Sequence, residues 1–103
     1  MEIIKGTKEN FEREVLTSSI PVLVDFNADW CGPCRMLAPV LEEMAKERND
    51  IKIVSVNVDQ EQELSKKYHV FSIPCLIMLK QGEESKRTVG FRPKEEIEKF
   101  ISE

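Results

Sequence analysis

The residues able to do chemistry are concentrated in one stretch, Trp30-Cys31-Gly32-Pro33-Cys34. It follows an apolar, β-branched run, Val22–Ala28, and opens an amphipathic one. A thiol at a helix N-terminus faces unpaired backbone N–H groups and the positive end of the helix dipole. Both favour the thiolate, which is the nucleophile. Two intervening residues let the sulfurs meet across the first turn. Pro33 costs the helix little there and restricts the backbone between them. This arrangement suits thiol–disulfide exchange: Cys31 attacks a disulfide, a mixed disulfide forms, and Cys34 resolves it. A zinc site is the competing use, since Cys31, Cys34, His69 and Cys75 make four ligands. His69 and Cys75, however, stand six apart across Pro74, which is no usual ligand spacing, and no metal is expected.

The chain around this stretch has 103 residues, enough for a single domain over 1–103. A hydrophobic fraction of 41% supplies a core, and 33% charged residues of mixed sign argue against disorder. The net charge of −4 argues against a nucleic-acid surface. Three cysteines are too few, and of the wrong parity, for a disulfide-stapled secreted domain. The opening MEIIKGTKENFEREV carries no secretory apolar stretch, and no apolar run approaches the ~20 residues of a membrane span. A soluble chain in a reducing compartment, the cytoplasm, is expected, with no membrane partner.

The elements that must position the cysteines follow from periodicity. Glu2–Lys5 reads as a short edge strand. Thr7 is a plausible N-cap for a helix with Phe11 and Val15 on one face. Val22–Ala28 is a buried strand after Pro21. Leu37, Val40, Leu41 and Met44 mark a helix from Pro33 to about Arg48, which Pro39 should kink. Ile51–Val58 is a second buried strand. Asp59 can cap a short helix to about Lys67, with Gln62 completing a capping box. Cys75–Leu79 is a third apolar strand, Gln81-Gly82 a hairpin turn into Ser85–Val89, and Pro93 opens a last helix striped by Ile97, Phe100 and Ile101. The order β-α-β-α-β-α-β-β-α predicts a mixed sheet with helices on both faces.

Asp25-Phe26, Ala28, Trp30 through Met36, Ala38-Pro39, Asn57-Val58-Asp59, Tyr68, Ile73-Pro74 and Gly90 together resemble the thioredoxin family over nearly the whole chain. The resemblance implies an α/β fold with a central mixed sheet of five strands and four helices. It implies reduction of protein disulfides, reoxidised protein being restored by a dedicated thioredoxin reductase, with no cofactor and a monomeric chain. The Gly32-Pro33 pair is similar to the reducing members rather than to oxidases or isomerases. A redox-silent binding module on the same fold is the further alternative, and the presence of both cysteines argues against it.

The resemblance also implies roles. Asp25 would be a buried proton acceptor beneath Cys34; the plain alternative is an Asp pointing outward at an edge. Trp30, Gly32, Pro33, Ile73, Pro74 and Gly90 would form the substrate groove, with Ile73–Pro74 cis. Two positions depart from the family pattern: Asn27, where Trp is frequent, and Ser55, where Lys is frequent. Without a nearby ammonium, Asp25 should be harder to ionise. Cys75 stands where Thr is common. It reads as an inert core thiol, or else as a third redox thiol close to the pair.

Overall fold

A computed structural model describes residues Met1–Glu103. Its sheet has the order β1-β3-β2-β4-β5, with β1 Ile4–Lys5, β2 Val22–Asn27, β3 Lys52–Asn57, β4 Cys75–Lys80 and β5 Glu83–Val89. The first three strands pair in parallel and the last two antiparallel. The helices are α1 Gly32–Glu47, α2 Gln62–Lys67 and α3 Lys94–Ser102, and a fourth, π-helical segment spans Glu12–Leu16. The expected order of elements and the mixed sheet are therefore both present.

Strand alternation sorts β2 between two cores. Val22, Val24 and Phe26 join Phe11, Val15 and Leu64 on one face, under the π-helical segment and α2. Leu23 joins Leu37, Leu41, Met44, Ile97 and Ile101 on the other, under α1 and α3. Successive side chains of a strand point to opposite faces, so Asp25 falls on the α1 side. Each fully buried Leu, Ile or Phe contributes about 2 kcal/mol relative to exposure. Strand β2, covered on both faces, is buried from Val22 to Phe26, and it is the strand that carries Asp25.

Local chemistry sets the boundaries. Thr7 and Asn10 exchange hydrogen bonds: Asn10 N–H donates to Thr7 Oγ1 at 3.2 Å, and Thr7 N–H donates to Asn10 Oδ1 at 2.7 Å. The turn that follows widens, with Thr17 N–H donating to the Glu12 carbonyl at 2.9 Å, so the expected helix is π-helical while Phe11 and Val15 still face the core. The first strand is shorter than Glu2–Lys5. Helix α1 runs unbroken through Pro39. Its far end is tied to α3 by ion pairs of Arg48 with Glu98 and of Lys94 with Glu47.

The β4–β5 hairpin turns on Gln81 and Gly82, whose φ values of +53° and +81° give the doubly left-handed turn that matches strand twist. A Cβ on Gly82 would lie 2.7 Å from the Leu16 carbonyl oxygen, a backbone atom that cannot swing aside. Gly82→Ala should therefore lower the unfolding free energy by about 2–4 kcal/mol. Urea denaturation measures this, and an unchanged midpoint would contradict the reading of the turn.

Candidate active site

The end of β2 delivers the chain to Cys31, the N-cap residue of α1, with φ −88° and ψ 111°. Gly32, Pro33 and Cys34 form the first helical turn. Cys31 and Cys34 are disulfide-bonded, their Cα atoms 5.2 Å apart. The Cys34 N–H donates to Cys31 Sγ at 3.3 Å, so the sulfur takes the place an Asp or Ser oxygen takes in an ordinary N-cap. Arg35 N–H donates to the Cys31 carbonyl at 3.1 Å, and the Arg35 guanidinium donates to the Asp29 carbonyl at 2.8 Å, fixing the turn from both sides.

The loop before β4 closes over the pair. The Ile73 carbonyl oxygen lies 3.9 Å from Cys31 Sγ, and the Ile73–Pro74 peptide is cis, as the resemblance implied. Pro74 in turn accepts the Gly90 N–H at 2.8 Å, which sets Gly90, with φ +99°, beside it. Trp30 is 68% exposed and stands next to Cys31. Its Nε1–H donates to Asp59 Oδ2 at 2.8 Å. Trp30, Ile73, Pro74 and Gly90 are thus gathered around the cysteines with Gly32 and Pro33.

Asp59 does not cap α2. Its carboxylate holds the indole, and the turn is closed by Asn57 Oδ1, which accepts from the N–H groups of Asp59 and Gln60 at 2.9 and 3.1 Å. The sequence offered no signal for this exchange, because Trp30 and Asp59 are 29 residues apart.

Asp25 is 5% exposed, so the outward-pointing alternative is overturned. It lines a cleft of about 410 Å³ together with Cys34, Asn27, Ser55, Arg35 and Glu42. Register places Asp25 opposite Ser55 on β3, and Asn27 joins them. The Asn27 amide donates to Asp25 Oδ2 at 3.1 Å, to the Asp25 carbonyl at 3.0 Å and to Ser55 Oγ at 2.8 Å. Asp25 Oδ1 has no partner. The two departures from the family pattern therefore form one polar cluster against the carboxylate. Burial pushes the Asp25 carboxyl up to about 6, and the Asn27 hydrogen bond pulls in the opposite direction.

Cys75 is free and 1% exposed. It belongs to the core on the face away from α1, with Phe26 and Ile77, and burial pushes its thiol up. Among the His, Cys, Asp and Glu side chains no three converge as metal ligands would.

Two outcomes follow from the Asp25 environment. Its buried charge costs nothing below pH 3.8, where the group is protonated in folded and unfolded chains alike; the cost grows as pH rises from 3.8 to about 6 and is complete above that. The shift corresponds to about 3 kcal/mol. Asp25→Asn should therefore exceed the parent in unfolding free energy by about 2–3 kcal/mol at pH 8, with the gap closing below pH 4, as urea titrations at the two pH values would measure. Asn27→Leu, which removes the stabilising donor, should raise the Asp25 midpoint above that of the parent in a carboxyl NMR titration. A lower midpoint would contradict the account.

The chain matches the family model described as Thioredoxin over residues 2–103. It is 50% identical to the thioredoxin of Bacillus subtilis strain 168 over 103 residues, covering 99% of this chain and 97% of that one. It is 42% identical to the thioredoxin of Rickettsia bellii over 97 residues, covering 93% and 92%. It is 46% identical to the thioredoxin of Mycobacterium tuberculosis strain H37Rv over 101 residues, covering 97% and 87%. With the disulfide pair at the head of α1 and full-length likeness on both counts, the chain belongs to the thioredoxin family of thiol–disulfide oxidoreductases.

Proposed function

We propose that Cys31 is the attacking thiolate, Cys34 the resolving thiol and Asp25 the proton acceptor in the reduction of protein disulfides. The observation that carries this reading is the asymmetry of the pair: Cys31 Sγ accepts a backbone N–H at the helix cap, while Cys34 lines the cleft of the buried carboxylate. In the reduced protein the N–H and the helix dipole favour charge on Cys31. Its thiolate attacks one sulfur of the substrate disulfide, forming a Cys31–substrate bond and releasing the other sulfur as a thiolate. Cys34 passes its proton to ionised Asp25 by way of the cleft and attacks the Cys31 sulfur. The second substrate sulfur leaves, and two electrons have moved from the dithiol to the substrate. A carboxyl titrating at about 6 is ionised and still basic enough to serve near neutral pH.

The substrate chain lies in a groove made by Trp30, Gly32, Pro33, Ile73, Pro74 and Gly90. Support comes from the Ile73 carbonyl beside Cys31 and the open space over Gly90, where no atom lies within 4 Å of an added Cβ. Family membership brings disulfide-bearing substrates and a reductase partner in general. We further propose that a thioredoxin reductase restores the dithiol, that one domain acts as a monomer, and that it works in the cytoplasm. No helix is long and apolar enough to cross a membrane.

Cys34→Ser should accumulate a mixed disulfide with a reporter protein such as insulin, seen as a mass adduct that dithiothreitol removes. Cys31→Ser should form none. An adduct carried equally by both variants would reject the assignment of attacking and resolving roles.

A further inference from the structure

Phe71 is 90% exposed, more than any other large apolar side chain of the protein, and the core gives no account of it. The loop that carries it is fixed at both ends. At its start the N–H groups of Tyr68 and Val70 donate to the carbonyls of Leu64 and Ser65 at 3.1 and 3.0 Å; at its end Pro74 accepts the Gly90 N–H. Tyr68, Val70 and Ile73 turn inward against the core, which leaves His69, Phe71 and Ser72 outward. His69 has φ +54°, and its ring centroid lies 6.4 Å from that of Phe71. The ring is therefore presented on an anchored backbone, and only two side-chain torsions need be fixed when it is covered.

Its place relative to the chemistry gives it an occupant. Ile73, whose carbonyl oxygen is 3.9 Å from Cys31 Sγ, is two residues along the chain, a span of about 7 Å at most. Residues flanking a cysteine joined to Cys31 extend over a comparable distance from it. We propose that Phe71 is a specificity-determining residue, forming an apolar contact for side chains that flank the cysteine of the substrate chain. Disulfides flanked by Leu or Phe are then reduced in preference to those flanked by Gly. The inference rests on the proposed attack by Cys31 from the groove.

Two synthetic peptide disulfides, alike except for Leu or Gly beside each cysteine, would test it. Phe71→Ala should lower kcat/KM about tenfold on the Leu-flanked peptide and change it less than about twofold on the Gly-flanked one, while Phe71→Leu recovers most of the loss. Because the ring is exposed, unchanged urea midpoints are expected for both variants. Equal losses on the two peptides, or no loss on either, would overturn the inference while leaving the proposed dithiol chemistry intact. Failure of the parent protein to reduce even the Gly-flanked peptide would take down that chemistry, and this inference with it.

Discussion

A carboxylate held inside the central strand, 5% exposed, is the constraint around which the rest of the structure is arranged. Strand β2 is paired on both edges and covered on both faces, so Asp25 meets the surroundings only through the cleft it shares with Cys34. The Asn27 amide offsets part of the penalty and burial sets the remainder, leaving the group near neutrality in its titration. The two apolar layers must carry that cost. The disulfide closes a ring of sequence separation 3, which restricts the unfolded chain by about 2 kcal/mol, less than the cost of the buried charge. It is also a bond that a thiol–disulfide oxidoreductase makes and breaks in each cycle.

Much of this arrangement is legible in the sequence because it rests on local rules. The apolar run Val22–Phe26, the stripe from Leu37 to Met44, Pro93 before α3 and the Gln81-Gly82 turn are each decided within a few residues. The dithiol is legible for the same reason, since a cap and its first turn are neighbours in the chain. What could not be read depends on register and on contacts between distant segments. Asn27 reaches Ser55 across 28 positions, and nothing in either segment alone indicates that the two share a hydrogen bond. Asp59 looked like a cap by spacing, but a longer-range donor, the Trp30 indole, claimed its carboxylate while Asn57 closed the turn. The segment after Thr7 is π-helical, with Phe11 and Val15 buried in the core.

The three cysteines fall into two packing clusters. The working pair sits at the head of α1, and Cys75 faces the opposite core, buried and with its thiol pushed up. A thiol kept both neutral and covered is a poor nucleophile. Cys75 thus sits in a different core cluster from the reactive pair, covered by Phe26 and Ile77. Of the two readings of Cys75, the buried core thiol is the one this placement favours.

The two outer strands have a meaning for a protein whose work is to join itself covalently to other chains. Strand β1 is only two residues long, and β5 reads Glu-Glu-Ser-Lys-Arg-Thr-Val, with its first three residues exposed and four of its seven charged. Open sheet borders invite a visiting polypeptide to lengthen the sheet, and brevity and charge are the usual defences. Here one border is too short to template a neighbour and the other is too polar. Neither border therefore offers a visiting chain a ready template for pairing. On the proposed chemistry, capture rests on a single bond that Cys34 severs, and the client departs when it does.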